Sequence, residues 1–421
     1  MKFKESVITD EPVKGLSTFI IPTKVKDVVT ISGSMLGGIL FSGNENNKIS
    51  SLTSSMLDKG TQNKSKHQIS DELESMGAEI SFISSNRHIN FTAHCLKSDL
   101  GLVVELVAEQ LKHPVFPEEE LALLKKRMIG NLEISKDDTK KQALISFLQE
   151  LYPEKHHNYR NSIEESIKRI ETITSRDLVK FHKKVFGLGS LNIAAAGDIS
   201  NKDLIAHIRK NFDGWGTQTI DKLEESVSAN KRTRSSLNKN IKDKTSSDIY
   251  IGQSVDINDD NEDYMSLMMG VYILGGNFSA RLMQTVRDEQ GLTYGIGSTV
   301  ASCAYGTSGH WYTWGTFAPK LVEKGIKSTL EQINEWYTNG ITEQELKSKK
   351  TTLNGSFQVS LDTTGGLIDK ILTNAEKGRD ISYLDSYTDK INKLNQKQIN
   401  STIQEYIDPT IFVNSVAGSR S

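Results

Sequence analysis

Histidines and cysteines, the side chains that most often hold zinc, are few and scattered in this 421-residue chain. Its two cysteines, Cys95 and Cys303, lie far apart, which excludes a disulfide framework and a cysteine-based zinc site. They read as buried free thiols. Of nine histidines, His88 and His94 share a strand face but stand ~20 Å apart at about 3.3 Å per residue, too far to be co-ligands. His156 and His157 point in different directions on any regular element and read as ordinary satisfied histidines. Ser51, Ser54 and Ser55, spaced i, i+3 and i+4, share one face of a helix expected over 48–57. A nucleophilic serine needs an adjacent base. Lys59, four residues after Ser55, makes a Ser–Lys dyad conceivable, and a serine-reactive probe would label it. Arg287 and Tyr294 flank Gly291, where a helix is expected to end and a strand to start. By spacing alone they read as an Arg–carboxylate pair and a packed tyrosine.

The elements that carry these residues are duplicated. Phe116-Pro-Glu-Glu-Glu-Leu121 precedes Lys125-Lys126, and Ile341-Thr-Glu-Gln-Glu-Leu346 precedes Lys349-Lys350, an offset of 225 from Leu121 to Leu346. A helical pattern lies upstream of each copy. Leu73-Glu-Ser-Met-Gly77 and Arg287-Asp-Glu-Gln-Gly291 form a second pair, with a helix ending at glycine and an extended segment after it. In the first half, 28–35 reads as a strand, 48–57 and 67–76 as helices, and 78–84 with 88–94 as a hairpin across Ser85-Asn86-Arg87. Two helices and a last strand, 191–196, follow. The second half repeats this with strands at 249–255, 294–303 and 310–316. Hairpins with long helices on one face give an α+β fold class: two homologous domains, each a mainly antiparallel sheet covered by helices. The polar, basic stretch 226–247 lacks interleaved aromatics and reads as a linker, giving domains 1–225 and 248–421.

Composition narrows the function. Lys and Arg number 51 against 53 Asp and Glu, a net charge of −2, so neither a nucleic-acid binder nor a membrane-surface binder is expected. No apolar run reaches 18 residues, so no membrane insertion is expected. The start, MKFKESVITDEP, shows no secretory signal, so the cytoplasm is expected, or the periplasm if a signal segment has been removed.

The order of elements, the duplication and several motifs resemble the M16 metallopeptidase family, which includes pitrilysin and the mitochondrial processing peptidase. The motifs are Met56-Leu-Asp-Lys-Gly-Thr61, Leu151-Tyr-Pro153 with Asn158-Tyr159, Ala195-Ala-Gly-Asp198, Leu274-Gly-Gly-Asn-Phe-Ser-Ala-Arg-Leu282 and Arg287-Asp-Glu-Gln-Gly-Leu-Thr-Tyr294. The resemblance implies a zinc motif, His-x-x-Glu-His, just before Met56. This sequence has Ser51-Leu-Thr-Ser54-Ser55 there. A serine hydroxyl stays protonated near neutral pH and is a poor zinc ligand, and the general base is lost with Ser54. Glu133 sits near the place of the family's third ligand, and alone holds no metal. The family's Arg/Tyr pair, which binds substrate backbone and steadies the oxyanion, matches Arg287 and Tyr294. The resemblance therefore implies the non-zinc subunit of a heterodimeric zinc peptidase. The chain would have no cofactor of its own. Its partner would be a homologous subunit bearing His-x-x-Glu-His and zinc, and its substrate an extended peptide. The alternative is a catalytically inactive structural or peptide-binding core subunit, homodimeric and zinc-free. Trp311-Tyr312-Thr313-Trp314 reads equally as peptide-chamber lining or core, and Gly275-Gly276 as a tight turn or a turn near substrate.

Overall fold

The computed structural model describes residues 2–42, 46–218, 220, 227–230 and 233–419. Two compact units are present. One comprises Met1–Ile129, Ser166–Glu224 and Ser356–Tyr387, the other Gly130–Glu165, Glu225–Gly355 and Thr388–Ser421.

The first unit is built on a six-stranded sheet. Its strands are β1 (Ile8–Val13), β2 (Leu16–Pro22), β3 (Val28–Leu36), β4 (Glu79–Ser84), β5 (His88–Leu96) and β6 (Leu191–Gly197), in the spatial order β1-β2-β6-β3-β5-β4. The second unit has five: β7 (Ser235–Asn240), β8 (Ser247–Val255), β9 (Thr293–Ala301), β10 (Gly309–Phe317) and β11 (Val413–Gly418), in the order β7-β11-β8-β10-β9. In both, the first strand of the repeat runs parallel to the last (β2 with β6, β7 with β11) and every other pairing is antiparallel. Without β1 the two sheets have the same topology, so the duplication reaches strand level.

Ion pairs repeat too. Lys66 with Glu120 recurs as Arg281 with Glu345. Lys125 donates to the carbonyls of Glu171 and Ile173, and Lys350, its counterpart at the 225-residue offset, to that of Asn392. Each ammonium secures the turn between a helix pair.

Several sequence expectations need correcting. Five helices, not two, lie between β5 and β6: Leu100–Lys112, Glu118–Ser135, Thr139–Leu151, Ile163–Thr172 and Ser175–Val185. The stretch 226–247 is not simply a linker. Residues 226, 231 and 232 lie outside the described residues, but 235–240 form the edge strand β7. An edge strand half open to water needs few apolar residues, and only Leu237 of β7 joins a core.

The compact units also cut across the halves 1–225 and 248–421. The Thr139–Leu151 helix of the first half packs on β8 and β11, and the Thr364–Glu376 helix of the second half packs on β3 and β6. Neither sheet can leave that face bare, because both faces carry apolar side chains. On β6, Ala195 belongs to one core while Ala194 and Ala196 pack with Leu367, Ile368 and Ile371 on the other side. On the second sheet, Phe147 and Leu151 pack with Tyr250 and Val413. Asp248, 4% exposed, accepts hydrogen bonds of 2.5 Å from both Thr139 and Thr316, tying helix to sheet.

Trp311 of β10 is fully buried, stacks on Trp336 and donates from Nε1 to Ser298 Oγ at 2.9 Å. Tyr312 and Trp314 lie on the opposite face, against the Thr139–Leu151 helix. The segment is core on one face and helix-covered on the other.

Buried histidines make stability depend on pH. Burial pushes His156 down to about 4, His182 to about 4 and His310 to about 3 from the usual 6.5. Their folded pKa values are depressed, so between pH ~6.5 and ~4 the unfolded chain takes up protons that the folded chain refuses. Stability is therefore lost as pH falls through that window. The unfolding free energy from urea titration should drop between pH 7 and pH 4.5, by about 1–3 kcal/mol per histidine. Replacing His310 with Gln should flatten the profile; an unchanged slope would show that these rings titrate freely.

Candidate functional site

The three serines sit on the Ile49–Met56 helix, which packs against the edge strand β4 and the Ser175–Val185 helix. Ser50 anchors it, donating to the carbonyl of Gly37 at 2.8 Å and lying 2.6 Å from Ser84 Oγ of β4. Ser54 is 2% exposed and its hydroxyl donates to the carbonyl of Ser51 one turn back, at 3.1 Å. It is spent on its own helix. Ser51 and Ser55 are half-buried. Lys59 lies beyond the helix end, and its ammonium pairs with Asp58 at 2.7 Å. No base is bonded to Ser55 among the described residues, so the Ser–Lys dyad is not formed.

Glu133 is held by Lys136 at 2.7 Å on the half-exposed face of its helix. It belongs to the second unit, whereas the serines belong to the first. Among the described residues no cluster of three His, Cys, Asp or Glu side chains could hold a metal ion. His88 is buried beside Glu376 at 3.7 Å, and His94 bonds Thr30 from an exposed position. His156 and His157 do not diverge: their rings stack 4.2 Å apart. His156 Nδ1 accepts the Asn158 N–H at 2.9 Å. Cys95 and Cys303 are free, and burial raises them to about 11 and about 12, so both stay thiols.

Arg287 and Tyr294 form a different kind of surface. Arg287 lies in a π-helical stretch, Met283–Glu289, whose end is marked by a bond from Gln290 N–H to the Thr285 carbonyl, five residues back. Such wide turns often accompany functional positions. Gly291 then takes φ +62°, the left-handed conformation that ends the helix, and β9 begins at Thr293. Tyr294, the second residue of β9, is 89% exposed. Its ring centroid is 5.8 Å from the Arg287 guanidinium carbon. Among the described residues its hydroxyl has no hydrogen-bond partner. Arg287 is one-third exposed, and its nearest carboxylate, Asp288, is 3.7 Å away. Arg287 therefore has one long carboxylate pair, to its neighbour Asp288, and Tyr294 is not a packed tyrosine. β9 is the terminal strand of its sheet, so this pair stands at an open backbone edge.

A third side chain joins them that the sequence reading had not singled out. Phe278 is 80% exposed and its ring centroid is 6.0 Å from the Arg287 guanidinium carbon. It is carried on the turn after the Tyr264–Gly275 helix. Gly275 is required there, because a methyl would fall 2.4 Å from Ser298 N of β9. The signal available in the sequence was the Gly-Gly-Asn-Phe run itself, an aromatic residue inside turn-forming residues.

Comparison with known proteins assigns the family. Residues 22–163 match the model of insulinase (peptidase family M16), and residues 172–353 match that of the peptidase M16 inactive domain. The chain belongs to peptidase family M16. It is 25% identical over 375 residues to the non-peptidase homolog YmxG of Helicobacter pylori, covering 86% of this chain and 82% of that protein. It is 23% identical over 366 residues to the uncharacterized zinc protease YmxG of Bacillus subtilis, covering 86% of each. A crystal structure of a peptidase M16 inactive domain from Pseudomonas fluorescens superposes with a TM-score of 0.88 at 24% identity, covering 99% of this chain and 98% of that one. The two-domain α+β fold is thus that of M16 proteins. No helix among the described residues is long and apolar enough to cross a membrane.

Proposed function

We propose that this chain is the non-zinc subunit of a two-subunit M16 peptidase, and that it supplies Arg287 and Tyr294 to a zinc site carried by a homologous partner. The observation that carries the reading is the state of Tyr294: a phenol 89% exposed on a rigid strand, its hydroxyl unpartnered among the described residues, beside an arginine whose ion pair with Asp288 is long, 3.7 Å. Structural tyrosines bury their rings and find a partner for the hydroxyl. This one is presented to something outside the chain. The chemistry it offers is donation to a developing oxyanion, with Arg287 adding charge and fixed N–H donors for a peptide carbonyl. The zinc, its activated water and the general base would all come from the partner, since Ser51, Ser54 and Ser55 can furnish none of them.

The test is recovery of the tagged chain from its source cell, with bound proteins identified and zinc assayed. The expected result is a stoichiometric partner of similar size carrying His-x-x-Glu-His, with about one zinc per pair. Recovery of a metal-free homodimer alone would overturn the reading in favour of a structural or peptide-binding core subunit.

A further inference from the structure

We propose that Phe278 is a specificity-determining residue that selects an apolar side chain in an extended peptide, and that the buried Lys349 is the positioning residue that keeps Phe278 presented. The inference rests on the peptide-binding reading of the Arg287–Tyr294 surface and adds to it what that surface selects.

Phe278 occupies the second position of a tight turn. The Ala280 N–H donates to the Asn277 carbonyl at 3.1 Å, and Asn277 Oδ1 accepts the Ser279 N–H at 3.0 Å, an Asx turn. Lys349, 3% exposed on the Glu343–Ser360 helix, points its ammonium into this turn. It donates to Asn277 Oδ1 at 3.0 Å, to the Ser279 carbonyl at 2.8 Å and to Ser279 Oγ at 2.6 Å. All three ammonium protons are spent on the two residues flanking Phe278. Two residues further on, Arg281 holds Glu345 through two bonds of 2.5 and 2.7 Å and the Gly340 carbonyl at 2.8 Å. An exposed phenyl ring on a loose turn would fold down onto apolar surface. Here the turn is fixed on both sides, so the ring stays out.

The internal repeat shows that this lysine is not demanded by the fold. At the 225-residue offset, Lys349 corresponds to Leu124, which is 4% exposed and belongs to an apolar cluster. The same helix position is an ordinary core leucine in one half and a dehydrated cation in the other. A buried ammonium is costly unless all its protons are used. Its use here is the turn that displays Phe278.

The ring shares the neighbourhood of Arg287 with Tyr294, the cation lying 6.0 and 5.8 Å from the two ring centroids. Those spacings match the roughly 6.6 Å between alternate side chains of an extended chain. A peptide whose carbonyl meets Arg287 would bring an apolar side chain within reach of Phe278.

The probes are two fluorescein-labelled twelve-residue peptides of Gly, Ser and Thr, identical except for a central Phe or a central Ala, titrated into the full chain by anisotropy. The wild-type chain should prefer the Phe peptide about tenfold. Phe278→Ala should bring that preference to within twofold, and Arg287→Ala should weaken both peptides alike. Lys349→Leu should fold with an unchanged or higher Tm, as Leu124 shows the site accepts leucine, yet lose the preference. Asn277→Ala, which removes one acceptor of the clamp, should do the same. Retained preference in Phe278→Ala, with both peptides weakened by Arg287→Ala, overturns the inference and leaves the peptide-binding reading standing. Binding of neither peptide by the wild-type chain overturns the inference, while recovery of a zinc-bearing partner separately decides the subunit reading.

Discussion

Tyr294→Phe should lower peptide hydrolysis by a complex of this chain with a zinc-bearing homologue about 100- to 1,000-fold, the usual cost of deleting one oxyanion donor. The substitution is clean. Tyr294 is 89% exposed, and its hydroxyl holds no bond among the described residues, so the change removes an O–H and leaves the fold untouched. A donor that acts only in the transition state lowers kcat and leaves KM nearly unchanged. In the proposed site Arg287 differs, because its N–H groups would also meet the ground-state carbonyl. Arg287→Ala should therefore raise KM as well as lower kcat. Zinc content should stay constant in both variants, since the proposed pair would hold its metal on the partner. Steady-state kinetics on the reconstituted pair with a quenched fluorescent peptide makes the measurement. Full turnover in both variants would end the case for a split site and leave the exposed pair without a chemical role.

The duplication and the strands of each hairpin were legible because they rest on local signals: alternation in 79–84 and 88–96, helix ends at Gly77 and Gly291, and an acidic helix start repeated at 118–121 and 343–346. The expectation that 51, 54 and 55 stand at a lost zinc motif was read from residue identity alone, since those positions hold serines. Features set by tertiary context stayed hidden. β7 was lost in a polar stretch because its partner β11, near the other end of the second half, supplies the reason for its extension. The π-helical turn at 283–289 leaves no periodic trace in seven residues. Phe278 stands exposed on a turn that Lys349 clamps, and the sequence shows Lys349 only as half of a lysine pair. Lys125 and Lys350 do share a role, but Lys126 and Lys349 do not: the true counterpart of Lys349 is Leu124. A charge repeated to within one residue can thus mark either a preserved contact or a new one.

Which sheet an amphipathic helix covers is the largest item that periodicity leaves open, and it carries the second large expected effect. Cutting the chain near residue 226 separates each sheet from one of its helices. Residues 1–225 would keep the Thr139–Leu151 helix but lose the sheet it covers, and would lose the Thr364–Glu376 helix from β3 and β6. Each half alone should expose an apolar sheet face and behave as a compact, dye-binding state without cooperative unfolding. Expressed together, the halves should copurify, because each supplies the helix the other lacks. Phe147 is the sharpest probe of that exchange. It is fully buried, lies on the transferred helix, and packs against Tyr250, His310 and Tyr312 of the second sheet. Phe147→Ala should cost about 3–5 kcal/mol in the intact chain, a cavity inside an aromatic cluster. In the split chain that loss comes out of the association itself, so copurification should fall sharply. A second-half fragment, 226–421, that unfolds cooperatively on its own would show that its sheet does not need the helix donated by the first half.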